Sequence, residues 1–170
     1  MRAPAHTGAL GCPVGSRALA ALATGPLFGR DTAWAVSENL DLVRSIFADW
    51  ERGDFRRVDW ADPNIEFVVV DSPSPDRWIG LRGMSEAMRG MLTAWKDFRL
   101  IAEEFSEVDA ERVLVVARAE GRGRISGIEH RDVPATRRSA DVFRVQSGRV
   151  TGIDVYVDRD RALADLGLEP

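Results

Sequence analysis

Three carboxylates stand where they could do acid/base work: Asp71 at the end of a β-branched run, Glu66 inside that run, and Asp141 among Ala140, Val142 and Phe143. Proton transfer next to a carbonyl needs a base that reaches the proton and a donor that meets the oxygen where charge develops. Each acid also has a plainer reading. Asp71 precedes Ser72-Pro73-Ser74-Pro75, where an aspartate serves turn chemistry. Asp141, in mid-strand, can equally face solvent and pair with Arg118 or Arg144 across the ladder. His130 lies in a charged loop with Glu129, Arg131 and Asp132, the setting of a solvated histidine. Arg118, Arg122 and Arg124 alternate along one segment and read as a solvated face.

Composition narrows the chemistry. The 170 residues are 45% hydrophobic and 29% charged, which fits one domain with a real core. A net charge of -4 provides no positive field for phosphates, so no nucleic-acid partner is expected. Cys12 is the single cysteine and His6 and His130 the two histidines, so neither a disulfide nor a metal centre is expected, and no cofactor is implied. No apolar run approaches the roughly 20 residues that cross a bilayer, and no membrane partner is expected.

The elements that must position these acids follow from periodicity. Residues 1–36 are rich in Ala, Gly and Pro without a sustained period, so they are expected to be disordered or to precede the true start, with translation beginning at Val36. The stretch Ala18–Phe28 is broken by Thr24, Gly25 and Pro26, unlike an export signal, and a cytoplasmic location is expected. Ser37 caps a helix to Glu51, with Leu40, Val43, Phe47 and Trp50 on one face and Gly53 as its stop. Asp54 to Trp60 is predicted as a second, short helix stopped by Asp62-Pro63-Asn64. Ile65 to Val70 is a strand, and Asp71 to Asp76 a loop.

Met84, Ala87, Met88, Met91, Leu92 and Trp95 keep helical spacing and predict a third helix. Two antiparallel hairpins follow. Arg99–Val108 pairs with Val113–Arg124 through Asp109-Ala110-Glu111, and Arg137–Val145 pairs with Val150–Val157 through Gln146-Ser147-Gly148. Gly127 to Ala135 reads as a loop, and Arg159 to Leu166 as a short helix closed by Gly167. The class is α+β: three N-terminal helices packed on a strongly curved, mainly antiparallel sheet, with a short C-terminal helix. Such a sheet curls into a cone-shaped roll around an apolar cavity where a small ligand binds.

The runs Phe47-Ala48-Asp49-Trp50-Glu51-Arg52-Gly53-Asp54-Phe55, Asp62-Pro63-Asn64-Ile65-Glu66-Phe67 and Trp78-Ile79-Gly80-Leu81-Arg82-Gly83-Met84 resemble those of the SnoaL-like, nuclear transport factor 2-like superfamily. So do Asp141 to Val150 and Arg161 to Leu168, and the resemblance spans a domain at residues 37–168. It implies the ketosteroid isomerase-like cone. Ketosteroid isomerase divides its work between one ionised and one neutral carboxyl group, and the resemblance carries these roles to Asp71 as general base and Asp141 as protonated oxyanion donor. The helix position that holds a tyrosine in that enzyme is Ile46 here, and Tyr156, the one tyrosine, is the remaining phenol.

The resemblance therefore implies a pocket that includes Ile46, Trp50, Phe67, Trp78, Met88, Phe143 and Tyr156. It points to an apolar, carbonyl- or hydroxyl-bearing ligand, turned over by an isomerase-like acid/base reaction, and to a homodimer through the sheet. Two alternatives stand beside it. One is an epoxide hydrolase-like enzyme, favoured if an arginine such as Arg118 reaches Asp141. The other is a non-catalytic ligand-binding or dimerisation module with a filled core.

Overall fold

The computed structural model describes residues 31–71, 76–129 and 138–169. In chain order the elements are α1 (Asp31–Trp50), β1 (Ala61–Val69), β2 (Asp76–Ile79), α2 (Gly80–Ala94), β3 (Trp95–Glu107), β4 (Arg112–Gly123), β5 (Ser139–Gln146), β6 (Arg149–Tyr156) and α3 (Arg159–Leu166). The α+β class holds, with three helices on one six-stranded sheet. Its strand order is β2-β1-β6-β5-β4-β3. Neighbours pair antiparallel except β1 with β6, which run parallel.

The expected second helix does not form. Residues 54–58 carry no regular structure between α1 and β1. The Asp54 carboxylate accepts the backbone N–H of Arg56 at 3.1 Å, an Asx-type bond that competes with helical hydrogen bonding. Phe55 stacks on Trp50 at 5.8 Å, and Trp60 Nε1 donates to the Arg57 carbonyl at 2.9 Å, so the segment is anchored as a wrapped connection. Helix α1 begins at Asp31, ahead of the expected Ser37.

Two strand boundaries differ as well. Strand β1 starts at Ala61, and its register against β6 shifts between Ala61 and Glu66, so Asp62-Pro63-Asn64 forms an irregularity within the strand where a stop is expected. The short edge strand β2 is hidden by its length: four residues are too few for an alternation to show, yet Trp78 pairs opposite Phe67 and Ile79 opposite Glu66. The β5–β6 turn has the expected place, with Ser147 (φ 51°) and Gly148 (φ 73°) in the left-handed region that a two-residue hairpin requires. Helix α3 has the expected bounds, capped by the Asp158 carboxylate on Asp160 N–H and closed by Gly167 at φ 69°.

The two faces of the sheet are covered differently. Val43, Ile46, Phe47 and Trp50 of α1 and Met84 and Met88 of α2 pack with Phe67, Val115, Phe143 and Ile153 on the inner face. On the outer face Ala162 and Leu163 of α3 cover Leu114, Ala140, Val142 and Tyr156. Among the described residues no helix is long and apolar enough to cross a membrane.

Candidate active site

An apolar cavity of about 230 Å³ opens on the inner face, between α2 and the sheet. Its walls come from both inner helices and from the sheet: Trp50 of α1, Phe67 and Val69 of β1, Trp78 of β2, Met88 and Met91 of α2, and Phe98 and Leu100 of β3. Two of the lining residues, Ala87 of α2 and Ala119 of β4, are small and so leave space beside the larger side chains. Two indoles apart, the polar side chains of the lining are Ser139 and Asp141.

Strand alternation puts Asp141 there. It sits opposite Val115 on β4 and Val155 on β6, in the same inward row as Ser139 and Phe143. The residue is 3% exposed, and burial pushes its carboxyl up to about 7. Desolvation is the whole cause: among the described residues neither a cation nor a hydrogen-bond donor stands against that carboxylate. The other buried acid among the described residues, Asp49, is treated in the opposite way, with guanidinium groups of Arg52 and Arg57 on its two oxygens.

The pairing of Asp141 with Arg118 or Arg144 does not occur. Both arginines project from the outer face, where Arg118 meets Glu103 at 3.4 Å and also Glu120, and Arg144 meets Glu66 at 3.3 Å and Asp154 at 3.5 Å. Glu66 is thereby an outer-face residue too, and Arg77, which also pairs with it, holds its carboxyl below the usual range. Arg122 is likewise committed, to Glu129, and Arg124 donates to the Trp95 carbonyl at 3.2 Å.

No family model and no curated protein matches the chain. Solved structures do. A nuclear transport factor 2-like protein of unknown function from Burkholderia pseudomallei is 21% identical at TM-score 0.59, covering 75% of this chain and 95% of that one. TerC, co-crystallised with polyporic acid, is 20% identical at TM-score 0.58, covering 76% of this chain and 97% of that one. An LEH-like epoxide hydrolase of M. tuberculosis is 20% identical at TM-score 0.54, with 72% and 84% covered.

This chain has the nuclear transport factor 2-like fold.

Within that fold the expected site residues separate into three groups. Trp50, Phe67, Trp78, Met88 and Asp141 line the cavity together. Ile46 and Phe143 are fully buried in the adjoining core and do not line it. Tyr156 is on the other face, under α3, where burial and the nearby Asp165 push its phenol up; it cannot supply a donor to the cavity. The nuclear transport factor 2-like cone thus offers no tyrosine at either place considered, since Ile46 occupies the first.

Asp71 is also outside the lining. Its two oxygens take the backbone N–H groups of Val157 at 2.8 Å and Asp158 at 2.7 Å, which joins the end of β1 to the exit of β6 and the start of α3. The structure therefore does not bring Asp71 and Asp141 together as two acids lining one cavity. His130 lies outside the described residues.

Phe98, Leu100, Ala119 and Ser139 escape sequence reasoning. A signal is present for the Ala119 position in Ala117, Ala119 and Gly121, a row of small residues at strand spacing that leaves room above one face. Phe98 is harder to place, because β3 bulges between Lys96 and Arg99 and Asp97 adopts φ 55°, so counting by twos fails there.

Proposed function

We propose that this protein binds a small apolar molecule bearing a carbonyl or hydroxyl group in the cavity and that Asp141 exchanges a proton with it, without a cofactor. The observation that carries this reading is a 3% exposed carboxyl facing an apolar cavity, with neither cation nor donor against it among the described residues. A group whose pKa lies near neutrality can both give and take a proton under ordinary conditions. In an allylic shift this carboxyl would remove a proton from the carbon beside a carbonyl and return it further along the conjugated system, so that no atom is gained or lost. The donor to the oxygen would fall to the Ser139 hydroxyl or an indole N–H of Trp50 or Trp78, the other polar groups of the lining. Asp71 is assigned a structural role, with its oxygens on two backbone amides.

The epoxide-opening alternative calls for an arginine at Asp141, and Arg118 is engaged with Glu103 and Glu120 on the other face. The non-catalytic alternative expects a filled core, and the cavity of about 230 Å³ speaks against that form of it; a non-catalytic binder that uses the cavity differs only in turnover. We further assign the homodimer to the outer sheet face, where Ile79 is 64% exposed, and the cytoplasm as the working compartment. Light scattering that returned a monomer at micromolar concentration would remove the dimer and leave the cavity untouched.

The test is a thermal-shift screen of the full chain against single-ring ketones, enones and alcohols. Stabilisation that is lost in Asp141→Ala supports the reading, and proton exchange at the α-carbon of a bound ketone, seen as deuterium uptake, separates enzyme from binder. No stabilisation by any of these compounds would overturn it.

A further inference from the structure

The protein partners its buried acids unequally. Asp49, at 8% exposed, holds two arginines, whereas Asp141, at 3%, faces an apolar cavity with no cation against it among the described residues. Buried carboxylates are ordinarily paired, because an isolated ion is costly to take out of water. A charge of the opposite sign is the complement this site lacks. The walls suit such a charge. Trp50, Phe67, Trp78 and Phe98 all line the cavity, and the rings of Phe67 and Trp78 meet at 6.0 Å with their planes 60° apart, forming a corner of two π systems. Aromatic faces attract cations, most strongly where water is excluded.

The same lining narrows the kind of cation. An ammonium with three N–H groups points them in diverging directions, whereas the acceptor side chains here, Asp141 and Ser139, stand two residues apart on one strand and the other walls are apolar or aromatic. A tertiary or quaternary ammonium has one N–H or none, and its methyl groups contact aromatic walls without leaving a donor unpaired. Lysine, arginine and histidine are absent from the described lining, so no fixed positive charge repels it. Size sets the last limit. A cavity of roughly 150 Å³ holds benzene, so a cavity of about 230 Å³ accommodates roughly nine or ten non-hydrogen atoms.

We propose that the cavity takes a tertiary or quaternary ammonium compound of one-ring size, with the Asp141 carboxylate as counter-ion and the Trp50, Phe67, Trp78 and Phe98 rings as walls. This rests on the reading that Asp141 faces a ligand cavity and goes beyond it in the charge and size of the ligand.

The probes are phenyltrimethylammonium, its neutral isostere tert-butylbenzene, and acetophenone, each titrated calorimetrically into the full-length protein. At about pH 8.5, where Asp141 is ionised, the cation is expected to bind about tenfold more tightly than the isostere. At about pH 5.5, where the carboxyl is protonated, that preference disappears. Asp141→Asn abolishes it at both pH values, with folding checked by circular dichroism, and Trp78→Leu weakens the cation more than the isostere. Equal or tighter binding of tert-butylbenzene at both pH values overturns the ammonium proposal; if acetophenone then binds with dependence on Asp141, the proton-exchange reading stands. Failure of all three probes to bind removes both.

Discussion

Asp71 accepts the backbone N–H of Val157 at 2.8 Å and so fastens the end of β1 to the chain leaving β6. The pair is parallel, so no hairpin turn holds these strands together, and the carboxylate supplies a local link in its place. Its second oxygen holds Asp158, whose own carboxylate caps α3. One side chain therefore ties strand, strand exit and helix start.

Removing that link should affect the fold more than the site. Asp71→Ala leaves two backbone N–H groups without their acceptor and is expected to cost about 2 kcal/mol in urea unfolding. Val157, whose N–H it holds, also lines the cavity, so the ligand affinity of the folded fraction is expected to fall by no more than about fivefold. A general base at this position would instead give a stable variant without turnover.

Asp141 makes stability depend on pH in a direction opposite to that of a salt-bridged acid. Its folded pKa, about 7, lies above the ordinary value of 3.8. Between those limits the folded state holds a proton that the unfolded state has lost, so stability is greatest below the lower value and falls as pH rises to the upper one. At about 1.4 kcal/mol per unit, the penalty reaches about 4 kcal/mol above neutrality as an upper figure. Asp141→Asn removes the titrating group. The variant should gain stability relative to wild type between about pH 4 and pH 7, read from paired denaturation curves.

Filling the cavity should separate binding from folding. Ala119 lines it from β4, and Ala119→Leu puts three further carbons into the space. The variant is expected to melt within a few degrees of wild type and to lose at least about tenfold in ligand affinity, because the volume that a ligand uses is occupied. Unchanged affinity would place the ligand elsewhere.

On the outer face, the Arg144 guanidinium lies over Gly152, in the space that a Cβ there would need. Gly152→Ala must displace that flexible side chain from Glu66 and Asp154. A fall of a few degrees in melting temperature, with ligand affinity unchanged, is expected. Loss of binding would show that the two faces are coupled.

The parts of this fold that are legible in the sequence are those whose pattern is local. Val43, Phe47 and Trp50 recur at helical spacing and do lie buried on α1; Ser147-Gly148 forms its hairpin; Gly167 ends α3. Residues 54–60 mislead because Asp54 is as good a partner for a turn as for a helix start, and Phe55 stacking on Trp50 is a contact no local rule contains. At the site, Asp141 is legible from its apolar neighbours, while its inward face depends on β5 register against β4 and β6. Asp71 misleads for a related reason. A strand-end aspartate looks the same in sequence whether it faces a cavity or two amides from a strand distant in the chain, and only the parallel pairing of β1 with β6 distinguishes them.

Asp141 faces the cavity without a cation or donor against it among the described residues, and an NMR titration of its carboxyl carbon, free and with ligand, reads that environment directly. A midpoint near 7 in the free protein, moved by at least about half a unit when acetophenone or phenyltrimethylammonium is added, is the expected result. A midpoint near 4, unmoved by either compound, would mean a solvated or paired aspartate and would rule out a carboxyl held in an apolar ligand cavity.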